Sequence, residues 1–415
     1  MTALVGVLNK RGAAIAADSA MTVFGNGSSK IYNNEQKIFS LSDKNPVGVM
    51  ICNNLNFLTT PWALIFELYK AERGNRTFPS LTGYVEDFID YLVSLKRLQS
   101  QEVKDAFYIF EFEQLLDVFR SIFEKKYDEV TENNPEISNE EVSRICYEHA
   151  FRELKEIIYD YEINPRLKDF NYNDFHHEIL EPNREYFSQK REEFPRMTDD
   201  EWQTLLDYFH RDLINNSFSG PQQSEIIFVG FGEDNIFPVS QRIYLLGMTG
   251  DTLKYNIEEV SEISHNSSAE IRPFAQTDVM ITLMKGVSPQ SDQEYRDATI
   301  ELEEGIVEEI SELLQKEKVS LKVINKIKEL TYEKVHERYI DRIDNFIQEN
   351  FISGVVNALE FFNLEEMAKM AENLIAVTNL QRHISSSEES VGGPIEVAII
   401  TKTGGFKWIK HNTIN

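Results

Sequence analysis

Three residues near the start of the chain have the side chains of an activated threonine nucleophile: Thr2, Asp18 and Lys37. If Met1 is removed, the α-amine of Thr2 becomes free. Its ordinary pKa is about 7.7–8.0, so it can accept the hydroxyl proton. A neighbouring lysine lowers the pKa of that hydroxyl, and a carboxylate holds and neutralises the lysine. These residue types predict an activated threonine nucleophile wherever the fold brings them together.

Short apolar runs bounded by turn residues predict a hairpin-rich β region over the first 58 residues. The predicted strands are residues 3–8, 13–17, 37–41 and 47–52. Thr2 precedes the first strand, Asp18 follows the second and Lys37 opens the third. In such a sheet the end of one strand and the start of another lie side by side, so the three side chains are expected to meet beside the first strand.

The rest of the chain alternates between helical and strand-like blocks. Apolar and aromatic residues recur at helical spacing over residues 61–220 and again over about 275–382. Breaks in the second block are expected near residues 286–289, 317–320 and 353–354. Further strands are predicted at residues 226–231, 242–246, 252–256, 395–401 and 406–410. Alternating runs of strands and helices predict a layered α+β fold.

The early motifs resemble those of proteasome β-type subunits and of the related ATP-dependent bacterial threonine protease. Both belong to the N-terminal nucleophile (Ntn) hydrolases. The resemblance rests on Thr2, on the Ala-Ala-Ile-Ala-Ala-Asp run that ends at Asp18, and on Lys37-Ile-Phe. Residues 226–232 resemble the central strand of that family, and residues 392–400 its Gly-Gly followed by a closing strand.

This resemblance implies a four-layer αββα sandwich with Thr2 at the mouth of the cleft between two sheets. Residues 1–72 and 224–415 would form the Ntn core, with extended helices over 275–382, and residues 73–223 would be a mainly helical insertion. Thr2 would be the nucleophile, with Asp18 and Lys37 tuning it. The backbone N–H of Asn53, where the family usually has glycine, would supply the oxyanion hole.

Supporting residues of the family lie just before its closing glycine. Their counterparts here are Glu388, Ser390 and Gly392, within Ser-Glu-Glu-Ser-Val-Gly-Gly. The resemblance also implies a peptide or protein substrate and a homo-oligomer, and it leaves open an ATP-dependent unfoldase as a further partner. It calls for no cofactor and no metal. Two other functions stay open: an inactive proteasome-like scaffold that acts through interactions, and an amidohydrolase of small molecules.

Composition narrows the classes of partner. The 415 residues include 69 acidic and 42 basic side chains, a formal net charge of −27. Proteins that bind nucleic acid or anionic membranes need a basic surface, so neither partner is expected. Two cysteines far apart in sequence fit a reducing, cytoplasmic compartment. The uncharged stretch over residues 45–66 contains four asparagines and two prolines, which favours a soluble core over a membrane span.

One other pattern could bind a metal ion, the run His176-His177-Glu178. Adjacent residues on a helix point about 100° apart, and the HExxH spacing of zinc hydrolases is missing from this run. A pair of surface histidines is the expected outcome.

Overall fold

The structure, a computed structural model, describes residues 2–25, 28–32, 35–330, 334, 336–384 and 392–412. Its strands within this part of the chain are β1 (Leu4–Asn9), β2 (Gly12–Asp18), β3 (Met21–Gly25), β4 (Ser28–Tyr32), β5 (Ile38–Ser40), β6 (Val47–Asn53), β7 (Asn56–Phe57), β8 (Thr60–Pro61), β9 (Ser224–Gly230), β10 (Val239–Thr249), β11 (Thr252–Ile257), β12 (Ser261–Glu262), β13 (Ala269–Ala275), β14 (Ile395–Thr401) and β15 (Gly405–Lys410).

The α-helices of the same residues are α1 (Trp62–Arg73), α2 (Leu81–Ser94), α3 (Gln101–Asn133), α4 (Asn139–Tyr159), α5 (Tyr172–Phe175), α6 (Arg184–Glu192), α7 (Asp199–Ile214), α8 (Thr277–Lys285), α9 (Pro289–Lys316), α10 (Leu321–Leu330), α11 (Glu337–Ile347), α12 (Ser353–Phe361) and α13 (Leu364–Ile384). Short 3₁₀ or π-helical turns occupy Lys96–Leu98, His176–Leu180 and Gln348–Ile352. The chain is therefore an α+β protein, as its sequence predicted.

Two antiparallel sheets form the centre of the molecule. The first has the strand order β13-β1-β2-β14-β15 and the second the order β11-β10-β9-β6-β5. One apolar cluster joins them, with Ile15 and Ala398 from the first sheet and Met50 and Ile227 from the second. The sheets therefore pack face to face, each burying one side against the other.

Gly48 on β6 shows how closely the two sheets approach. A Cβ built on this glycine would lie 2.7 Å from the side chain of Ile400 on β14. Real Cβ atoms do not come this near to a neighbour. A larger residue at position 48 would require the end of the Ile400 side chain to move, so the sheets are in tight contact at this point.

Helices cover the other face of each sheet. Alternate residues of β6, β9 and β10 pack on α1 and α2, with Trp62 and Phe88 among the aromatic side chains of that cluster. On the first sheet, Ala3, Val5 and Val397 pack against α8, α12 and α13. The alternation of inward and outward side chains along each strand sends every second residue to the inter-sheet core.

The helices from α3 to α7 have an apolar cluster of their own. Phe112 on α3 and Phe209 on α7 are fully buried in it, and Leu246 of β10 belongs to the same cluster. Helix α2 instead packs on the second sheet. The domain boundary that the sequence predicted at residue 73 stays a prediction. The apolar cluster of the helical region begins at α3.

Most of the predicted strands are confirmed within two or three residues, but the short strands β3, β4, β7, β8 and β12 were missed, and so was one longer strand. Residues 269–275 form β13, an edge strand paired with β1, whereas the sequence predicted a loop leading into a helix from about residue 275. Pro273 hid the strand, because proline removes a ladder hydrogen bond and is tolerated mainly on edge strands. The break predicted near residues 353–354 is wrong, since the backbone stays helical from residue 348 to 361.

Candidate active site

Asp18 sits at the end of β2, between two neighbouring strands. Its backbone N–H donates to the carbonyl oxygen of Ala3 at 3.2 Å, and Ile395 of β14 is its cross-strand partner on the other side. The strand leading to it, residues 12–18, is wholly buried. Small alanines fill this strand because one face meets the other sheet and the other meets the helices. The carboxylate is thus fixed in the core, and the residue is only 1% exposed.

The Asp18 carboxylate accepts hydrogen bonds from four residues. Oδ1 accepts from the backbone N–H of Ala3 at 2.8 Å and from Lys37 Nζ at 2.9 Å. Oδ2 accepts from the N–H groups of Ala20 at 3.3 Å and Gly392 at 3.1 Å. Asp18 therefore holds the amide next to Thr2 and the Lys37 ammonium at a single oxygen.

Lys37 is one of the largest fully buried side chains, at 0% exposure. Its ammonium donates to Asp18 and to the carbonyl oxygen of Ala20. Burial lowers the pKa of Lys37, while the Asp18 carboxylate opposes that shift. The described residues provide these two acceptors, and an ammonium group carries three donors. One donor of the Lys37 ammonium is therefore left without an acceptor among the described residues.

Thr2 lies two residues before Leu4, the first residue of β1, and is 8% exposed. The next residue, Ala3, donates its N–H to Asp18 and accepts the N–H of Asp18 in return. This reciprocal pair fixes the backbone at Thr2 beside the ion pair. The structure thus brings Thr2, Asp18 and Lys37 into one buried neighbourhood.

Asn53 ends β6, two residues beyond Ile51, whose N–H donates to the Lys37 carbonyl oxygen at 3.0 Å. Its φ of 65° is in the left-handed region, which asparagine and glycine tolerate best. The Asn53 amide donates to Glu225 Oε1 at 2.8 Å. The backbone thus requires a residue that accepts positive φ, which explains how asparagine can occupy a position where the resembled family has glycine.

Of the three supporting residues predicted before the closing strand, one lies within the described residues. Gly392 reaches the site through its N–H, which contacts Asp18. Glu388 and Ser390 lie outside the described residues, so their role stays a prediction.

Two polar groups near the ion pair were missed by reading the sequence. Ser19 Oγ donates to the carbonyl oxygen of Pro394 at 2.6 Å and ties β2 to the segment before β14. Glu396 is 2% exposed, and burial raises its pKa to about 6 while the Lys37 charge opposes the shift. Its carboxylate lies 3.5 Å from His411 Nε2. A signal for Glu396 existed, since it is the one charged residue in the apolar strand 395–400.

The buried Cys52 is a poor alternative nucleophile. Burial raises the pKa of its thiol well above the ordinary value, and the Glu225 carboxylate adds to the shift. Only the thiolate attacks efficiently, so a thiol that stays protonated is unreactive. Of the groups in this neighbourhood, the threonine hydroxyl is the better candidate.

The histidine pair lies elsewhere, on the surface of the helical region. Among the described residues, His176, His177 and Glu181 bring possible metal-ligand atoms within 4.8 Å of one another, and all three side chains are exposed. His177 Nδ1 already contacts Glu181 Oε2 at 3.0 Å.

Comparison with known proteins adds no identification. The chain matches no protein-family model, and no curated protein matches it significantly. Within the described residues, no helix has the length and apolar character needed to cross a membrane.

Proposed function

We propose that this chain is an N-terminal threonine hydrolase of the proteasome-like Ntn class, cleaving peptide or amide bonds through an acyl-threonine intermediate. The observation that carries the proposal is the buried Asp18–Lys37 pair, which shares one carboxylate oxygen with the amide next to Thr2. A buried lysine is costly unless it is paired. Placing one beside a hydroxyl-bearing strand terminus is a known way to activate that hydroxyl.

In the proposed reaction, removal of Met1 frees the Thr2 amine, which takes the proton from Thr2 Oγ. The oxygen attacks the substrate carbonyl carbon, and the third donor of Lys37 stabilises the developing negative charge. The Asn53 N–H binds the oxyanion of the tetrahedral intermediate. The Thr2 ammonium then protonates the leaving amine, and water hydrolyses the resulting ester.

The layering supports the same class. Two face-to-face sheets covered by helices on their outer sides are what a four-layer αββα sandwich requires. In the proposal, α3 to α7 are an addition to this core, and residues around Asn53 and Thr2 form the mouth of the cleft.

The test has two parts. Intact mass spectrometry of the purified protein should show loss of Met1. Incubation with a peptide epoxyketone, which reacts with both the hydroxyl and the amine of a terminal threonine, should then label Thr2. Thr2→Ala and Lys37→Ala should abolish labelling. Thr299→Ala is the matched control, because its hydroxyl only donates to Tyr295 in its own helix.

Each result discriminates between functions. Retention of Met1 would refute the catalytic assignment, because Thr2 would then have no free amine. Loss of Met1 without labelling would favour the inactive scaffold. If peptide probes do not label the protein but a small amide-like β-lactone does, the result would favour a small-molecule amidohydrolase.

A further inference from the structure

A second cluster of buried charges lies in the helical region, beside a cavity of about 340 Å³. The cavity lies between α3, α4 and the segment after α7, residues 217–221. Its volume is within the range of small-molecule sites. It is formed by residues other than those of the Thr2 site, so what it binds is a separate question from the proposed hydrolysis.

Two carboxylates are the charged groups that line this cavity, Glu111 on α3 and Asp212 on α7. Behind them, Lys254 of β11 donates to the Asp212 carbonyl oxygen at 3.1 Å and to Asn215 Oδ1 at 3.2 Å. Asn215 in turn donates to Asp212 Oδ1 at 3.2 Å. Lys254 is 2% exposed and does not line the cavity. Both ionisable carboxyl groups that line the cavity are therefore acidic, and the lysine lies behind them.

Glu111 is the unusual member of this cluster. The residue is 9% exposed, and its carboxylate has no hydrogen-bond partner among the described residues. Burial raises the pKa of Glu111 to about 8, with the Asp212 charge adding to the shift and Lys254 opposing it. A carboxyl group that lines a cavity without a protein partner is free to bind a ligand there.

Apolar side chains form a second part of the wall, beside the polar residues Gln114, Ser217 and Ser219. Leu115, Leu154 and Ile158 belong to the buried cluster of this region, and Val118, Ile157 and Tyr161 extend the wall to the surface. A ligand that satisfies both walls has a positive head and a short hydrocarbon body. A metal ion fits less well, because within the described residues the acidic pair is not joined by a third His, Cys, Asp or Glu ligand at metal-binding separation.

From these features we infer that the cavity binds a small organic cation, a primary amine carrying a short apolar chain. The ammonium group would contact Glu111 and Asp212, and the chain would lie on the leucine and isoleucine side chains. Binding would return Glu111 to its ionised form and release its proton.

Calorimetric titration of the full chain with n-butylammonium chloride tests this, with n-butanol as the neutral ligand of equal chain length. The amine should bind at least tenfold more tightly than the alcohol. Repeating the titration in buffers of different ionisation heat should show proton release at pH 7. Glu111→Gln should remove the preference for the amine, whereas Glu132→Gln, an exposed site on the same helix, should leave it unchanged.

A second variant guards against a folding artefact. Ile157 lines the cavity and is 49% exposed, so Ile157→Trp should block the entrance without disturbing the core or the charge cluster. It should abolish binding while Glu111 stays in place. Equal affinity for butanol and butylammonium, unchanged binding in Glu111→Gln, tighter binding of Ca²⁺ than of the amine, or absence of saturable binding would each overturn the proposal.

Discussion

The Asp18–Lys37 pair predicts an unequal response to the loss of either charge. Asp18→Asn leaves a fully buried ammonium without a counter-charge. It also turns an amide NH₂ toward the N–H donors of Ala20 and Gly392, or toward those of Ala3 and Lys37. Lys37→Met instead leaves a carboxylate that still accepts three backbone N–H groups. Removing the acid should therefore cost more than removing the base.

General magnitudes separate the two variants. Removing one partner of a buried ion pair costs about 3–5 kcal/mol when the other charge is left uncompensated. For Lys37→Met the lost hydrogen bonds amount to about 1–2 kcal/mol, because the large desolvation cost of the ammonium disappears with it. We expect the loss of stability in Asp18→Asn to fall in the first range and the loss in Lys37→Met to fall in the second.

Urea unfolding, monitored by tryptophan fluorescence, measures the free energy of unfolding of both variants, since Trp62 is buried in the core of the second sheet. Glu129→Gln is the control. Glu129 pairs with Lys126 at 2.9 Å on the surface of α3, so its loss should leave the stability nearly unchanged.

The pH dependence gives a second readout. In Asp18→Asn, burial without the counter-charge holds the folded-state pKa of Lys37 below its unfolded value. Folding then favours the neutral amine, so the deficit should shrink as pH rises from the folded pKa toward the unfolded one. Equal costs for Asp18→Asn and Lys37→Met, or a deficit in Asp18→Asn that grows with pH, would refute the reasoning.

Two further perturbations follow from backbone strain and from buried charge. Asn53→Gly should keep stability within about 1 kcal/mol and preserve probe labelling, whereas Asn53→Val should lose a further 1–2 kcal/mol or so because its φ is positive. Urea unfolding and labelling with the epoxyketone check both, and loss of labelling in Asn53→Gly would mean that the side chain matters. Glu111→Gln should leave stability unchanged near pH 4. Above pH 8 it should stabilise the fold by about 3–5 kcal/mol, because the raised pKa of Glu111 penalises its ionised form. A Glu111→Gln protein less stable than wild type at pH 8 would show that the carboxylate supports the fold.

Local sequence determined the elements. Apolar runs and helical periodicity predicted most of the strands and both helical blocks, because side-chain burial follows the period of each element. The same pattern failed at β13, where Pro273 is a local signal against a strand and only pairing with β1 overrides it. The Asp and Lys types of the candidate site were also visible, since a strand end and a strand start are local features.

Tertiary structure alone decided which groups meet. Gly392 lies 374 residues from Asp18, yet its N–H reaches the same carboxylate. Lys254 is likewise far in sequence from Glu111 and acts on it across the interface between helix α3 and strand β11. Such contacts depend on how sheets and helices pack. The local sequence pattern of one element contains no information about them. The sequence determined which side chains could do chemistry, and the packing of two sheets determined which of them share a buried site.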